Sequence, residues 1–299
     1  MKWKKLGRIF VTNAQHPKLL THAANPLPVF LENNTYRFFY SSRDEKQRSS
    51  VSFVDIDIEK LTIIYQPKEP LLVHGAAASF YSHGISIGNM YRVGNECFIL
   101  FMGWQIRENT HWRGEIGQLK LTDNCKLEVV GDAPFMGLDE EDSVSLSYPY
   151  VMFHEGIYKM WYGSTITWQT ENGEMLHVIK YATSSDGKNW VKQGFAIPYQ
   201  LGVAQAFSRP TVMVDENGYK MWYSYRDGKG TKYRIGYAHS VDGLVWENRL
   251  AETGITVSPS GWDSEMICYP FVFEHNGRYY MAYNGNEYGK TGFGIAVSS

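Results

Sequence analysis

Two short acidic segments are the first candidates for chemistry. One is Asp139-Glu-Glu-Asp142; the other holds Asp263 and Glu265, in Gly261-Trp-Asp-Ser-Glu-Met-Ile-Cys-Tyr-Pro270. Two carboxyl groups flanking a glycosidic bond, one of them protonated, are what glycosidic cleavage commonly needs. A Glu among aromatic residues can hold that proton near neutral pH, because desolvation disfavours its charged form. Glu265, between Trp262 and Tyr269, is therefore the candidate acid, Asp142 the second carboxylate and Asp44 the reserve. Asp263 is expected to point outward. The competing reading of the 139–142 run is a solvated acidic loop, and that of Glu265 a structural partner for a cation such as Arg209.

Other chemistries have less support. The nine histidines show no HExxH or His-x-His spacing, so no metal site is expected. No GxSxG, no P-loop and no GxGxxG opening a helix occurs, so no nucleotide cofactor is expected. Cys97, Cys125 and Cys268 are scattered without CxxC spacing and read as free, buried thiols of a reducing compartment.

The elements that must position the carboxylates follow from an internal repeat. Pro149-Tyr-Val-Met-Phe-His-Glu-Gly-Ile-Tyr-Lys-Met-Trp-Tyr-Gly163 recurs as the segments beginning at Pro210 and Pro270, about every 60 residues. The segment from Pro28 is the same unit two periods upstream, and Ile87 to Gly103 is the unit between, without the proline. Each reads as a strand, a Gly-containing turn and an aromatic-rich second strand. A second half, Ile179 to Trp190, matches Ile235 to Trp246 and supplies a third strand, an Asp-Gly turn and a fourth. Four antiparallel strands in each of five units predict an all-β five-bladed β-propeller filling residues 1–299 as one domain. The last unit stops after its third strand, and Trp3-Lys-Lys-Leu-Gly7 parallels Trp190-Val-Lys-Gln-Gly194. The N-terminal strand is therefore expected to close the last blade and remove a bare sheet edge.

In that geometry the starts of the first strands and the loops after the second strands share one mouth of the central channel. The first set is Asn25, His83, Tyr148, Arg209 and Tyr269; the second includes Arg43, Asp44, Trp104, Trp168, Arg226 and Asn286. Loops on a rigid scaffold are where function concentrates. Trp, Tyr, Arg and Asn around a funnel suit sugar hydroxyls and apolar sugar faces, and Arg43, Arg209 and Arg226 would give a positive rim suited to a carboxylated or phosphorylated sugar. Asp186-Gly187 and Asp242-Gly243 fall at the opposite end and read as turn formers.

Composition narrows the partners. With 29 Lys+Arg against 31 Asp+Glu there is no basic excess for nucleic acid. The longest apolar run, Cys97 to Trp104, is far short of a membrane span. No apolar stretch follows the basic start, so no signal peptide is read and a cytoplasmic protein is expected. Aromatics are 15 % of the chain, which favours strands.

The repeated Pro-x-Val, Met-Trp-Tyr-Ser and Tyr-Ala-x-Ser-x-Asp-Gly-x-x-Trp units resemble the five-bladed propellers of glycoside hydrolase families 43, 32, 68 and 130. The tail from Gly261 to Val297 is similar to arabinanase-like proteins associated with bacterial surface-polysaccharide genes. The resemblance implies a glycosidase-like enzyme acting on a glycan or sugar conjugate. Those hydrolases carry an Asp before a Pro at the start of blade one, as nucleophile or base. The matching position here is Asn25-Pro26, and Asn cannot ionise. The alternative is a non-catalytic carbohydrate-binding propeller, or a non-hydrolytic sugar-modifying or transfer protein.

Overall fold

The computed structural model describes residues 1–108, 110–122 and 126–298; Cys125 lies outside them. It forms five four-stranded antiparallel blades around an axis. Blade I is β2 (Thr21–Glu32), β3 (Thr35–Arg43), β4 (Ser49–Asp57) and β5 (Thr62–Tyr65). Blade II is β6 (Gly84–Val93), β7 (Glu96–Ile106), β8 (Trp112–Leu121) and β9 (Leu127–Val129). Blade III is β10 (Ser145–His154), β11 (Ile157–Thr167), β12 (Leu176–Ser184) and β13 (Val191–Phe195). Blade IV is β14 (Ser208–Asp215), β15 (Gly218–Tyr225), β16 (Arg234–Ser240) and β17 (Glu247–Asn248). Blade V is β18 (Cys268–His275), β19 (Arg278–Asn284) and β20 (Phe293–Ser298), completed by β1 (Trp3–Phe10).

The predicted closure is present. β1 runs antiparallel to β20, from Trp3 opposite Ser298 to Phe10 opposite Phe293. Trp3 is buried and packs edge-on against Trp222 of blade IV, with ring centroids 5.7 Å apart.

The Met-Trp-Tyr repeat follows from strand geometry. Successive side chains point to opposite faces of a blade, and a propeller covers both faces with neighbouring blades. Met160 and Tyr162 enter the core shared with blade II, while Trp161 enters the core shared with blade IV. Met221 and Tyr223 pack towards blade III, and Trp222 towards blade V. A strand buried on both faces has no polar alternation, hence the run of large apolar residues.

The inner strands carry one shared irregularity. Each is bulged opposite its second strand, at Asn25-Pro26, Gly88-Asn89, Tyr148-Pro149, Arg209-Pro210 and Tyr269-Pro270. A bulge bends the strand and re-aims its side chains. Asn25, Tyr148, Arg209 and Tyr269 adopt left-handed φ of 58°, 35°, 49° and 54°. Such strain, of order 1–3 kcal/mol per residue, clusters at functional sites. In blade II, a Cβ on Gly88 would lie 2.6 Å from the Leu100 carbonyl, so glycine fits there. Asn89 takes the place of the proline, and its amide exchanges two 2.8 Å hydrogen bonds with the backbone of Val151 in blade III.

This register corrects two details of the repeat. Pro26, not Pro28, is the counterpart of Pro149; a two-residue slip keeps every side chain on its face, so the sequence pattern cannot detect it. The blade II counterpart of Tyr148 is Gly88, not His83. Among the described residues, no helix is long and apolar enough to cross a membrane.

Candidate functional site

The bulges of blades I, III and V bring Asn25, Tyr148 and Tyr269 to one cavity of about 440 Å³. One wall is aromatic. Trp168, beyond the end of β11, stacks on His111 at 4.8 Å and meets Trp112 edge-on at 4.8 Å, so two neighbouring blades form one surface. Trp104 is anchored by its indole N–H, which donates to Ser49 Oγ at 2.9 Å. The floor is tyrosine. Tyr148 and Tyr269 lie 5.3 Å apart between ring centroids, and Tyr233 and Tyr288 complete the group. Burial pushes the hydroxyls of Tyr148, Tyr233 and Tyr269 upward, so they remain neutral donors.

Polar groups punctuate this surface. Glu174, in the β11–β12 loop, pairs with Arg226 at 2.7 Å and accepts the Met175 N–H at 2.9 Å. The loop is held by Gln205, whose amide reaches Thr170 and Asn172. His177 sits between Ser147 (2.7 Å) and Thr165 (2.6 Å). Burial, then the nearby Arg226, hold it neutral at about 3. Asn25 is fixed through its backbone N–H, which donates to Asn284 Oδ1 at 2.8 Å, and its own Oδ1 is buried without a hydrogen-bond partner. Among the described residues no cluster of His, Cys, Asp and Glu could hold a metal ion.

Of the residues singled out from sequence, Asn25, Arg43, Trp104, Tyr148, Trp168, Arg226 and Tyr269 line this cavity together. The others lie elsewhere. Glu265 is 58 % exposed at its side chain and pairs with Lys232, not with Arg209; the structure puts it outside the cavity wall in which it was expected. Asp142 is fully buried among Lys180 (2.8 Å), Lys192 (2.6 Å), Tyr162 (3.0 Å) and Ser164 (2.6 Å), an arrangement that holds blade III together. Asp139 shares Lys192 but is exposed, as are Glu140 and Glu141, so of this run Asp142 alone is withdrawn from solvent. Asp263, expected to point outward, is buried against Lys5 and Tyr283. Asp44 is buried and engages Arg48, Lys18 and the backbone of Lys46.

Arg209 crosses the axis instead of forming a rim. It is buried and donates to the carbonyls of Tyr269 and Pro26, each at 2.9 Å, so blade IV is tied to blades V and I. Burial pushes it down to about 9. His83 packs beside Trp104, and its Nδ1 accepts the Ile106 N–H at 3.2 Å. Asn286 accepts the backbone N–H groups of Glu265 and Met266, organising the loop that carries Tyr288. Cys268 is buried and Cys97 half-buried, both free.

Sequence reasoning missed Glu174, His177 and Tyr233. Glu174 lies six residues beyond Trp168 in the same loop, without an aromatic or repeat landmark of its own. His177 and Tyr233 stand at or just before the starts of third strands. Those starts line the cavity together with the ends of second strands, and counting them is the signal that would have found both residues.

A closed ring of five four-stranded blades with an aromatic-walled cavity is a five-bladed β-propeller with a concave candidate site. Solved structures agree on the fold. BT0996, solved as an RGII complex, superposes with a TM-score of 0.75 at 15 % identity, covering 98 % of this chain and 90 % of its own. A structure from the GH130 family of mannoside phosphorylases, which contains glycoside hydrolases that target β-1,2 mannosidic linkages in Candida mannan, gives 0.72 at 12 % identity, covering 99 % and 93 %. A putative glycoside hydrolase from Parabacteroides distasonis gives 0.70 at 11 %, covering 99 % and 96 %. No family model matches the chain. The uncharacterized protein Rv1502 of Mycobacterium tuberculosis H37Rv is 41 % identical over 299 residues, covering 99 % of both chains, as is its counterpart in strain CDC 1551. The chain belongs to the family of these mycobacterial proteins.

Proposed function

We propose that this protein is a carbohydrate-active propeller that takes a glycan terminus or sugar conjugate into the channel-mouth cavity. The observation that carries the reading is the composition of one concave surface: Trp and Tyr faces for the apolar side of a sugar ring, with Asn25, Glu174 and Arg226 for its hydroxyls. The unpartnered Asn25 Oδ1 suits a sugar hydroxyl as donor, because a buried acceptor left unsatisfied costs about 1–3 kcal/mol. The glycoside-hydrolase character of the fold neighbours supports the same theme.

Within this reading Glu174 is the group placed to give or take a proton at the glycosidic oxygen. Hydrolysis by the ordinary route uses a second carboxylate across the bond, and Glu174 is the one carboxylate among the described residues lining the cavity. That favours a reaction in which the attacking group arrives with a second substrate, a transfer, over hydrolysis by a carboxylate pair.

The test is thermal-shift and calorimetric screening of monosaccharides, nucleotide sugars and surface oligosaccharides, since a ligand stabilises the native state by mass action. Trp168→Ala should weaken any ligand found by about tenfold, in line with a lost ring contact. Glu174→Gln should abolish turnover and retain most of the binding. A full screen without a stabilising sugar, or binding indifferent to Trp168→Ala, would remove this function.

A further inference from the structure

We infer that the ligand of this cavity carries a carboxylate group, as a hexuronate does, and that Arg43 is the residue that recognises it. The inference rests on the proposed glycan reading and narrows it to a substrate class.

Three arginines stand near the mouth, and two are spoken for. Arg209 is consumed by two backbone carbonyls across the axis. Arg226 is matched by Glu174. Arg43 lines the same cavity and, among the described residues, has no carboxylate within ion-pair distance. Its side chain donates to Gln47 Oε1 at 3.4 Å. The adjacent Asp44 turns away, to Arg48 and Lys18. Thus one positive charge in the cavity lining is uncompensated.

The groups around Arg43 do not cancel it. Arg43 pairs in the β2–β3 ladder with Thr21, beside His22, and Asn25 lies a few residues further along β2. His22 is held neutral, at about 3, by burial and then by the fields of Arg43 and Lys290. Tyr148, whose hydroxyl also feels Arg43, is neutral. Lys290 is paired with Glu287 at 2.8 Å. Asn25 contributes no charge where an Asp would supply one, and its unpartnered Oδ1 is a second, separate handle for a polar ligand atom.

Charge and shape then choose the class. A guanidinium offers two parallel N–H donors that match a carboxylate fork. A carboxylate carries one negative charge, equal to that of Arg43, the cavity-lining arginine without a carboxylate partner; Arg209, held by carbonyls alone, lies outside the lining. A phosphate monoester carries about −1.5 to −2 at pH 7 and would leave charge uncompensated against tyrosine π-faces.

The experiment is calorimetric titration of the whole protein with glucuronate, galacturonate and mannuronate, beside the parent hexoses and their 6-phosphates. At least one hexuronate should bind about tenfold or more tighter than its parent hexose, with the advantage shrinking as salt rises. Arg43→Gln should remove most of that advantage while reducing hexose affinity far less, and Arg43→Lys, which keeps the charge and loses the fork, should fall between. Hexoses binding as tightly as hexuronates would overturn the inference and leave the glycan reading standing. A preference for 6-phosphates would overturn the carboxylate in favour of a phosphate. Failure of every sugar, with and without charge, would overturn the glycan reading itself, and this inference with it.

Discussion

Lys5 and Asp263 are 258 residues apart in sequence, and their side chains meet at 2.6 Å. The pair repeats, within blade V, the contact of Lys192 with Asp142 in blade III, also 2.6 Å. In both, the lysine comes from the fourth strand and the carboxylate also accepts a tyrosine hydroxyl at 3.0 Å, from Tyr283 or Tyr162. The ring is therefore closed by a partly buried ion pair as well as by backbone bonds and Trp3.

Removing one member of a buried pair leaves the other charge uncompensated, a loss of up to about 3–5 kcal/mol. Lys5 is partly exposed, so Lys5→Met should cost less, about 2 kcal/mol. Deleting Met1 to Val11 should lower the melting temperature of the whole protein in one transition, because blade V loses a strand. An unchanged calorimetric melting temperature for the deletion would show that β1 does not close the ring.

Arg209→Leu should destabilise the protein by about 3 kcal/mol, because the carbonyls of Tyr269 and Pro26 lose their donor inside the channel. Urea unfolding measures this directly. A loss below about 1 kcal/mol would mean that the tie across the axis is dispensable.

Stability should fall in two stages on acidification. His22 and His177 are held at about 3 in the fold against 6.5 when free, so the unfolded chain binds more protons between those values and stability declines as pH drops from 6.5 towards 3. Each histidine contributes up to about 1.4 kcal/mol per pH unit over that range. For Asp142, burial is outweighed by hydrogen bonds from Lys180, Lys192 and Ser164, and its pKa is lowered from 3.8. Its contribution is present above 3.8 and lost as pH falls below that value. His177→Gln should reduce the slope of the first stage to that left by His22, and Asp142→Asn should weaken the second. Unfolding curves at stepped pH that keep the same slope in His177→Gln would contradict the assignment.

Asn25→Asp places an ionisable group in the cavity that Arg43 lines. It should weaken hexuronate binding by about tenfold at pH 7, through competition for the guanidinium. The loss should recover as pH falls towards the ordinary carboxylate range. Titrations that find equal affinity in both proteins across pH would place position 25 outside the reach of Arg43.

The five-bladed ring was legible in the sequence because its cause is local and repeated. The Met-Trp-Tyr triplets report a strand buried on both faces, the Asp-Gly turns report tight reversals, and the match of Trp3 to Trp190 reports which strand is missing from the last blade. The cavity was legible in part, for residues next to a repeat landmark such as Tyr148-Pro149. Which carboxylate faces the axis was decided only by tertiary structure. Asp142, Asp263, Glu265 and Glu174 all lie in polar loop sequence, but Lys192 and Lys5 arrive from distant strands and bury the first two, Lys232 holds the third at the exposed rim, and Gln205 and Arg226 turn the fourth inward. For these four carboxylates the charge is met by cations 33 to 258 residues away, and no local pattern encodes that distance.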